Sequence, residues 1–187
     1  MKNHFIHYQP KVLSSKDCKK IIKFFEDNPS LYIKGRLGGD GKVDRTELES
    51  TEITLDLSEG QWINIKKALA KTLKEYKKVF PLLDTQLDPW HLQPRCQLMK
   101  YEPAKTYWRV HCERGARAYS QRLLAWMIHL NTIQKGGKTV FVHQKIKVKP
   151  KEGGVYIWPA DWTHMHHGEI APTEFKYIIT GWYDYNS

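Results

Sequence analysis

The chain has 187 residues, a length that suits one domain with a sizeable buried core. Its 41% hydrophobic and 12% aromatic residues exclude a disordered chain, and no apolar run approaches the about 18 residues that span a bilayer. A net charge of +10 favours anionic partners without naming them. Three cysteines without a Cys-x-x-Cys pair exclude a disulfide framework and a thiolate zinc site. Together with a polar start that is unlike a signal peptide, they predict a cytoplasmic protein.

The amino-terminal half begins with a helix, a loop and a strand. Ser14 precedes apolar residues at helical spacing, which predicts a helix over residues 16–27 that ends before Asn28-Pro29. A glycine-rich loop follows at 37–41. Alternation of Thr and Glu with Ile and Leu then predicts a strand over 51–57.

A second, lysine-rich helix is predicted from the spacing of apolar residues up to Val79. Ser58 and Gln61 match a capping box at its start. One face carries apolar side chains, and the other carries Lys66, Lys67, Lys71, Lys74, Lys77 and Lys78. Such a face fits a nucleic-acid or membrane surface, but aromatic residues are not interleaved with the lysines, which favours a solvated face of a supporting helix.

After Pro94 the apolar period changes from helical to alternating. Strands are predicted at 97–101, 122–130, 155–158 and 175–183, and Lys145, Lys147, Lys149 and Lys151 form one exposed face. About eight short strands separated by turn residues indicate a jelly-roll or barrel. We therefore expect a mainly β fold with support helices and a double-stranded β-helix (jelly-roll) core. The expected single domain spans 1–187, with support helices and strands in 1–92 and the core and metal site in 93–187.

His111-Cys112-Glu113 and the segment 164–167 carry the residues suited to metal binding. In a strand, residues i and i+2 point the same way, so His111 and Glu113 would both face the interior. With one histidine from 164–167 they would form a facial triad, which holds Fe(II) and leaves three positions open. Open positions allow a chelating cosubstrate and O₂ to bind together, which a closed four-ligand site does not.

Lys176 lies ten residues after His166, on a predicted strand face with Ile178, Thr180 and Trp182. A lysine inside an apolar barrel needs an anion, because an unpaired buried charge is costly. A dicarboxylate whose other end chelates iron would supply that anion. The alternative is a solvent-facing Lys176 paired with Glu174.

Residues 95–185 resemble the Fe(II)- and 2-oxoglutarate-dependent oxygenases of the prolyl-4-hydroxylase-like group, and especially its short viral and bacterial members. The resemblance rests on order and spacing over about half of the chain. The matching stretches are 101–103, 111–113, 122–131, 136–141, 148–153, 157–160, 166–168 and 176–182.

The resemblance implies iron ligation by His111, Glu113 and His166. It also implies contacts to 2-oxoglutarate, and these would come from Tyr101, His129, Lys176 and Thr180. The acidic ligand is Glu where most relatives use Asp. His164 is then an adjacent or exposed side chain, and His167 is the competing candidate ligand. No catalytic acid or base is expected beyond the metal ligands.

The implied activity is hydroxylation of a C–H bond with Fe(II), 2-oxoglutarate and O₂, giving succinate and CO₂, with ascorbate as a candidate reductant. The implied substrate is a peptidyl or free amino acid, with proline as the family default, and small molecules remain open. The alternatives are a nucleic-acid-directed oxygenase and an inactive jelly-roll binding module. If the protein is viral, its expected location is the host cytoplasm, with no membrane partner.

Substrate contacts are expected near the mouth of the site. Trp108 and Arg122 are the candidates, with packing or surface charge as their alternative roles. Loops 35–45 and 114–120 are candidate lids.

Overall fold

The computed structural model describes residues 4–35, 44 and 46–186. Its two α-helices are α1 (Ser15–Asp27) and α2 (Ile63–Val79). The strands are β1 (His7–Gln9), β2 (Ile33–Lys34), β3 (Thr51–Asp56), β4 (Trp90–Leu92), β5 (Arg95–Tyr101), β6 (Arg122–His129), β7 (Thr139–Phe141), β8 (Ile146–Val148), β9 (Val155–Pro159), β10 (His166–Gly168) and β11 (Lys176–Tyr185). The predicted loop 37–41 and most of the candidate lid 35–45 lie outside the described residues.

Helix α1 begins and ends where its sequence predicts. The Ser14 hydroxyl accepts the Asp17 N–H at 3.1 Å, and the Asn28 N–H closes the last turn on the Phe25 carbonyl. Cys18 and Ile21 are buried on its inner face. The local cap fixes the start of this helix, and packing of its apolar face in the core stabilises the rest.

Helix α2 contradicts the predicted capping box. The Ser58 N–H donates to the Asp56 side chain at 2.9 Å, and the Gln61 amide donates to Glu59 at 2.7 Å. Ser58 therefore belongs to the turn after β3 and Gln61 to the 3₁₀ turn Gly60–Trp62, and α2 begins only at Ile63. The predicted apolar face is buried, and most of the lysine face is exposed.

The large sheet is antiparallel, in the order β1-β9-β6-β11-β5-β3-β2, with β4 paired to β11. The long apolar run forms β6, which lies between β9 and β11. Gly181 on β11 lies opposite Trp126, and a Cβ there would overlap the indole. Strands β1, β2 and β3 come from the amino-terminal half, so that half supplies strands of the sheet as well as helices.

The two faces of the large sheet bury two different cores. One face packs against α1 and α2 through residues such as Leu69, Trp126 and Ile179. The other packs against the small sheet β10-β7-β8, where Phe141 contacts Trp158. Two facing antiparallel sheets give the expected jelly-roll core, and the space between them holds the site described below.

The lysines flanking and within β8 are exposed, as their alternation predicts. β8 is an edge strand, where exposed lysines disfavour pairing with another chain. Within the described part of the chain, neither α-helix has the length and apolar character needed to cross a bilayer.

Candidate metal centre

A cavity of about 670 Å³ opens between the two sheets. At its inner end, side chains of β5, β6 and β11 close the space, among them Tyr101, Met127 and Lys176. Nearer the opening lie His111 and Glu113. The cavity thus has a buried cationic end and a polar middle.

Three side chains converge in the middle of this cavity. One ligand atom from each of His111, Glu113 and His166 lies within 4.8 Å of the others. Glu113 Oε1 is 3.3 Å from His166 Nε2 and 3.7 Å from His111 Nε2. Among the residues that the structure describes, no other group of three or more His, Cys, Asp or Glu side chains lies close enough together to hold a metal ion.

The sequence pattern predicted that His111 and Glu113 converge because they share a strand. The two side chains do converge, but for a different reason. His111 forms an isolated antiparallel bridge with His166, and Glu113 begins a turn. The bridge places the two histidines opposite each other, and the turn brings the carboxylate back to them. The residue pair was predicted, but its backbone setting was not.

Each histidine ring is oriented by the backbone carbonyl of the residue two positions earlier in the chain. His111 Nδ1 lies 2.9 Å from the Arg109 carbonyl, and His166 Nδ1 lies 2.9 Å from the His164 carbonyl. Because a carbonyl only accepts, both Nδ1 atoms must carry the hydrogen. In the neutral form of each ring, Nε2 is then unprotonated and aimed at the cluster, which is the state that a metal ligand requires.

The environment also sets the charge of the cluster. Burial lowers the pKa of His111 to about 4, and the nearby His166 adds to that effect. Burial by itself would raise the pKa of Glu113, but the neighbouring His166, His111 and Arg122 outweigh it and lower that pKa to about 2. Near neutral pH, His111 is neutral and Glu113 is an anion.

Lys176 is buried at the inner end of the cavity rather than facing solvent. Its Nζ donates to the Gly137 carbonyl at 3.1 Å and lies 4.9 Å from the centre of the Tyr101 ring. Burial lowers its pKa to about 8, and no ion pair to it is found among the described residues. Glu174, the alternative partner, instead accepts backbone N–H groups of 134 and 135.

A buried histidine lies near Lys176, on the neighbouring strand β6. His129 is fully buried, and neither ring nitrogen has a hydrogen-bond partner in the described part of the chain. Burial and the charge of Lys176 lower its pKa to about 3, so the ring is neutral. A neutral imidazole can donate one hydrogen bond to an anion.

Tyr101 and Thr180 both line the cavity, at different depths. Tyr101 pairs directly with Lys176 across β5 and β11, so its phenol lies beside the ammonium group. Thr180 lies four residues farther along β11, about 13 Å at strand rise, and its hydroxyl donates to the Trp126 carbonyl. This geometry favours Lys176 over Thr180 as the partner of a carboxylate at the inner end, whereas His129 lies near Lys176 but is not among the lining residues.

The two expected substrate-contact residues differ in position. Arg122 lines the cavity and donates to the Glu113 carbonyl at 2.9 Å. Trp108 is 36% exposed and is not part of the cavity lining, and its backbone N–H binds Glu47. Of the candidate lid 114–120, Gly115, Ala116 and Tyr119 line the cavity.

Sequence reasoning missed two aromatic side chains at the cluster. The Tyr107 ring stacks on His111 with centroids 3.9 Å apart, and the Trp182 indole donates to Glu113. Trp182 was placed on the correct strand face, but only the folded pairing brings it to Glu113. Tyr107 lies in an irregular stretch that gave no periodic signal.

The remaining histidines of 164–167 lie outside the cluster. His164 is buried, and its Nε2 bonds to the His4 carbonyl at 3.0 Å. His167 has its Nδ1 3.3 Å from the Gly168 carbonyl. Neither is among the three converging residues.

These donors fit Fe(II) with 2-oxoglutarate. Two imidazoles and one carboxylate on one side of a cavity are the donor set of a non-haem Fe(II) site with open positions. At the inner end, the buried Lys176 ammonium, which has no ion pair in the described part of the chain, can bind a carboxylate, and the imidazole of His129 lies near it without lining the cavity.

The comparisons with known proteins agree with this donor set. The family model described as 2OG-Fe(II) oxygenase superfamily matches residues 96–184. No curated protein matches the sequence.

Solved prolyl hydroxylases share the fold at low sequence identity. Viral collagen prolyl hydroxylase from Paramecium bursaria Chlorella virus-1, in its 2OG complex, is 19% identical with a TM-score of 0.69 over 97% of both chains. A Pseudomonas putida prolyl-4-hydroxylase is 16% identical with a TM-score of 0.72, covering 98% of this chain and 94% of that one. A Trichoplax adhaerens prolyl hydroxylase, in complex with a hypoxia inducible factor peptide fragment, is 16% identical with a TM-score of 0.74, covering 97% and 84%.

The likeness to these structures concerns the fold, whereas the family match covers every cluster residue and the buried lysine. Over residues 96–184 the chain therefore matches the 2OG-Fe(II) oxygenase superfamily, and it is a 2-oxoglutarate-dependent dioxygenase, with Fe(II), 2-oxoglutarate and O₂ as the cofactor and cosubstrates that this family implies.

Proposed function

We propose that this dioxygenase hydroxylates a C–H bond of a peptidyl or free amino acid, with proline as the first residue to test. The observation that carries the proposal is the His111–Glu113–His166 cluster in an open cavity whose inner end holds the buried Lys176, which has no ion pair among the described residues. The solved structures of similar fold are prolyl hydroxylases, and one of them is in complex with a peptide fragment.

Each side chain of the site has a proposed task. His111 Nε2, Glu113 Oε1 and His166 Nε2 would hold Fe(II) on one side. Lys176 and His129 would bind the far carboxylate of 2-oxoglutarate, with Tyr101 beside them and Thr180 nearer the metal. When bound, Fe(II) with 2-oxoglutarate and O₂ supplies the oxidising power for C–H hydroxylation.

The protein's own contribution is orientation and exclusion of water. The buried inner end holds the cosubstrate by its charged tail, and the histidines keep their unprotonated nitrogens aimed at one point. No side chain is needed as acid or base, so the roles beyond the metal ligands are binding and positioning. Arg122 is proposed at the substrate side of the cavity, and Trp108 stays a weaker candidate because it lies outside the lining.

The proposal extends to the whole chain as one oxygenase domain. Strands β1, β2 and β3 are hydrogen-bonded into the same sheet as β11, which supports treating residues 1–92 and 93–187 as one unit. All three cysteines are free, which supports a reducing compartment such as the cytoplasm.

The lysine face of α2 does not favour a nucleic-acid substrate. α2 packs on the opposite face of the large sheet from the cavity, so its lysines lie far from the cluster. Binding of DNA or RNA with a steep salt dependence, together with hydroxylated nucleotide products, would be needed to support that alternative.

The test is product formation from a defined mixture. Protein with Fe(II), 2-oxoglutarate, ascorbate and proline-containing peptides is expected to release succinate and to add one oxygen atom to a peptide, as read by mass spectrometry.

The matched control is Glu113→Gln, which keeps the shape of the side chain but removes the anionic ligand. A proteome used in place of the peptides would identify the substrate. A wild-type protein that binds Fe(II) but releases no succinate with any substrate would favour the inactive binding module.

A further inference from the structure

The two oxygens of Glu113 have different surroundings. Oε1 faces the two imidazoles, at 3.3 Å from His166 Nε2 and 3.7 Å from His111 Nε2. Oε2 points the other way and accepts the indole N–H of Trp182 at 2.8 Å. Arg122 Nη1 is 3.8 Å from the same Oε2. One oxygen is therefore presented to the cluster and the other is already bound by the protein.

The indole that binds Oε2 is itself held in place. The Arg122 guanidinium lies 3.6 Å from the centre of the Trp182 ring and 4.0 Å from the centre of the Tyr119 ring, so it is stacked between them. The same guanidinium donates to the Glu113 backbone carbonyl at 2.9 Å. On the strand, Trp182 pairs with Ala125, whose small side chain leaves room for the indole on the cavity face.

This arrangement matters because the acidic residue is Glu. A glutamate has one more rotatable bond than an aspartate, so its carboxylate can turn and offer both oxygens to a metal. Two coordinating oxygens would occupy two positions and leave one fewer for ligands. An indole N–H donates one hydrogen bond and cannot accept one, so its natural partner here is the second carboxylate oxygen.

We propose that Trp182 is a positioning residue that holds Glu113 as a one-oxygen metal ligand, with Arg122 fixing the indole. This inference rests on the proposed role of Glu113 in metal binding. It goes beyond that role because it assigns to Trp182 the task of keeping the remaining coordination positions open.

The first test measures metal affinity without turnover. Co(II) is titrated into the cosubstrate-free protein and followed by its visible absorption. Trp182→Phe keeps a ring for Arg122 to stack on but removes the N–H. Loss of such a hydrogen bond to a ligand is expected to weaken Co(II) binding by about 10-fold to 100-fold. It is also expected to change the Co(II) spectrum, since a freed carboxylate can bind through both oxygens.

The matched control is Trp126→Phe. Trp126 is fully buried in the core on the other face of the sheet, and its indole nitrogen has no partner among the described residues. This variant loses an indole N–H as well, but it is expected to bind Co(II) as tightly as the wild type and with the same spectrum.

A second pair of variants separates positioning from general packing. Glu113→Asp draws the carboxylate back by one methylene, away from the indole, and is expected to weaken Co(II) binding. In that background, Trp182→Phe is expected to change the affinity by less than about 2-fold, because the hydrogen bond is already lost. If Trp182→Phe alone does not fold, Glu113→Asp becomes the deciding variant. In that case, Co(II) binding by Glu113→Asp that is as tight as or tighter than binding by the wild type overturns the inference.

The outcomes distinguish this inference from the function beneath it. Unchanged affinity and spectrum in Trp182→Phe would overturn the inference and leave the metal site intact. An equal loss on adding Trp182→Phe to the wild type and to the Glu113→Asp variant would also overturn it, because the indole would then act without the carboxylate. A wild-type protein that does not bind Co(II) at all would overturn both.

Discussion

His111 and His166 lie directly opposite each other and exchange two backbone hydrogen bonds, of 3.0 and 2.8 Å, with their ring centres 4.4 Å apart. This pair joins the segment after β5 to β10, and so ties the two sheets together at the cluster. The backbone pairing by itself places the two imidazoles side by side.

From that arrangement we predict that His166→Ala removes metal binding without unfolding the protein. Its side chain hydrogen-bonds to the nearby His164 carbonyl, whereas its backbone bonds to His111 survive the change. Affinity for Fe(II) or Mn(II) is expected to fall by more than about 100-fold, with a nearly unchanged unfolding midpoint. Calorimetric titration and thermal unfolding measure the two quantities.

The control is the neighbouring His167→Ala, which lies outside the cluster. It is expected to bind metal like the wild type. The reverse pattern, with binding lost in His167→Ala and kept in His166→Ala, would move the third ligand by one residue and contradict the assignment.

Lys176→Met is predicted to separate cosubstrate binding from metal binding. Methionine fills the space of the aliphatic chain but cannot pair with a carboxylate. Affinity for 2-oxoglutarate, measured anaerobically with Mn(II) in place of Fe(II), is expected to fall by about 10-fold to 100-fold, as for loss of a charged hydrogen bond. Affinity for Mn(II) alone is expected to stay within about 2-fold, because Lys176 does not belong to the metal cluster. Equal losses of both ligands would count against the assignment.

How far the sequence predicted this site depends on the range of each interaction. The α1 cap is set within four residues, and it was predicted correctly. The capping box at Ser58 failed because Asp56, two residues earlier, takes the Ser58 N–H. The link from Trp182 to Glu113 spans 69 residues, so it depends on how β11 pairs with β6. Spacing selects residue types, but it does not report which long-range pairs meet.

The ionisation of Lys176 predicts a pH dependence of stability in the cosubstrate-free protein. Its pKa is about 8 when folded, lowered by burial, against 10.5 in a solvated lysine. Between those values the unfolded chain binds more protons than the folded one, so this residue's contribution to stability rises with pH from about 8 to 10.5. Chemical unfolding at several pH values should show Lys176→Met more stable than the wild type near pH ~7.5, below the folded pKa. That difference should shrink as the pH approaches ~10. A difference that does not change with pH would contradict the assigned burial of the charge.

Finally, His129→Phe is predicted to change stability and cosubstrate affinity in opposite directions. Neither His129 ring nitrogen has a partner in the described part of the chain, and a buried polar group without a partner costs about 1–3 kcal/mol. Phenylalanine keeps the ring that packs edge-on against Tyr156 but removes both nitrogens. The free energy of unfolding is expected to rise by about 1 kcal/mol, while 2-oxoglutarate binds several-fold more weakly. Urea unfolding and calorimetric titration test the two effects, with His164→Phe as a control whose ring has partners to lose. A variant that loses stability and still binds 2-oxoglutarate normally would show that His129 is a packing residue, and the carboxylate cradle would then consist of Lys176 alone.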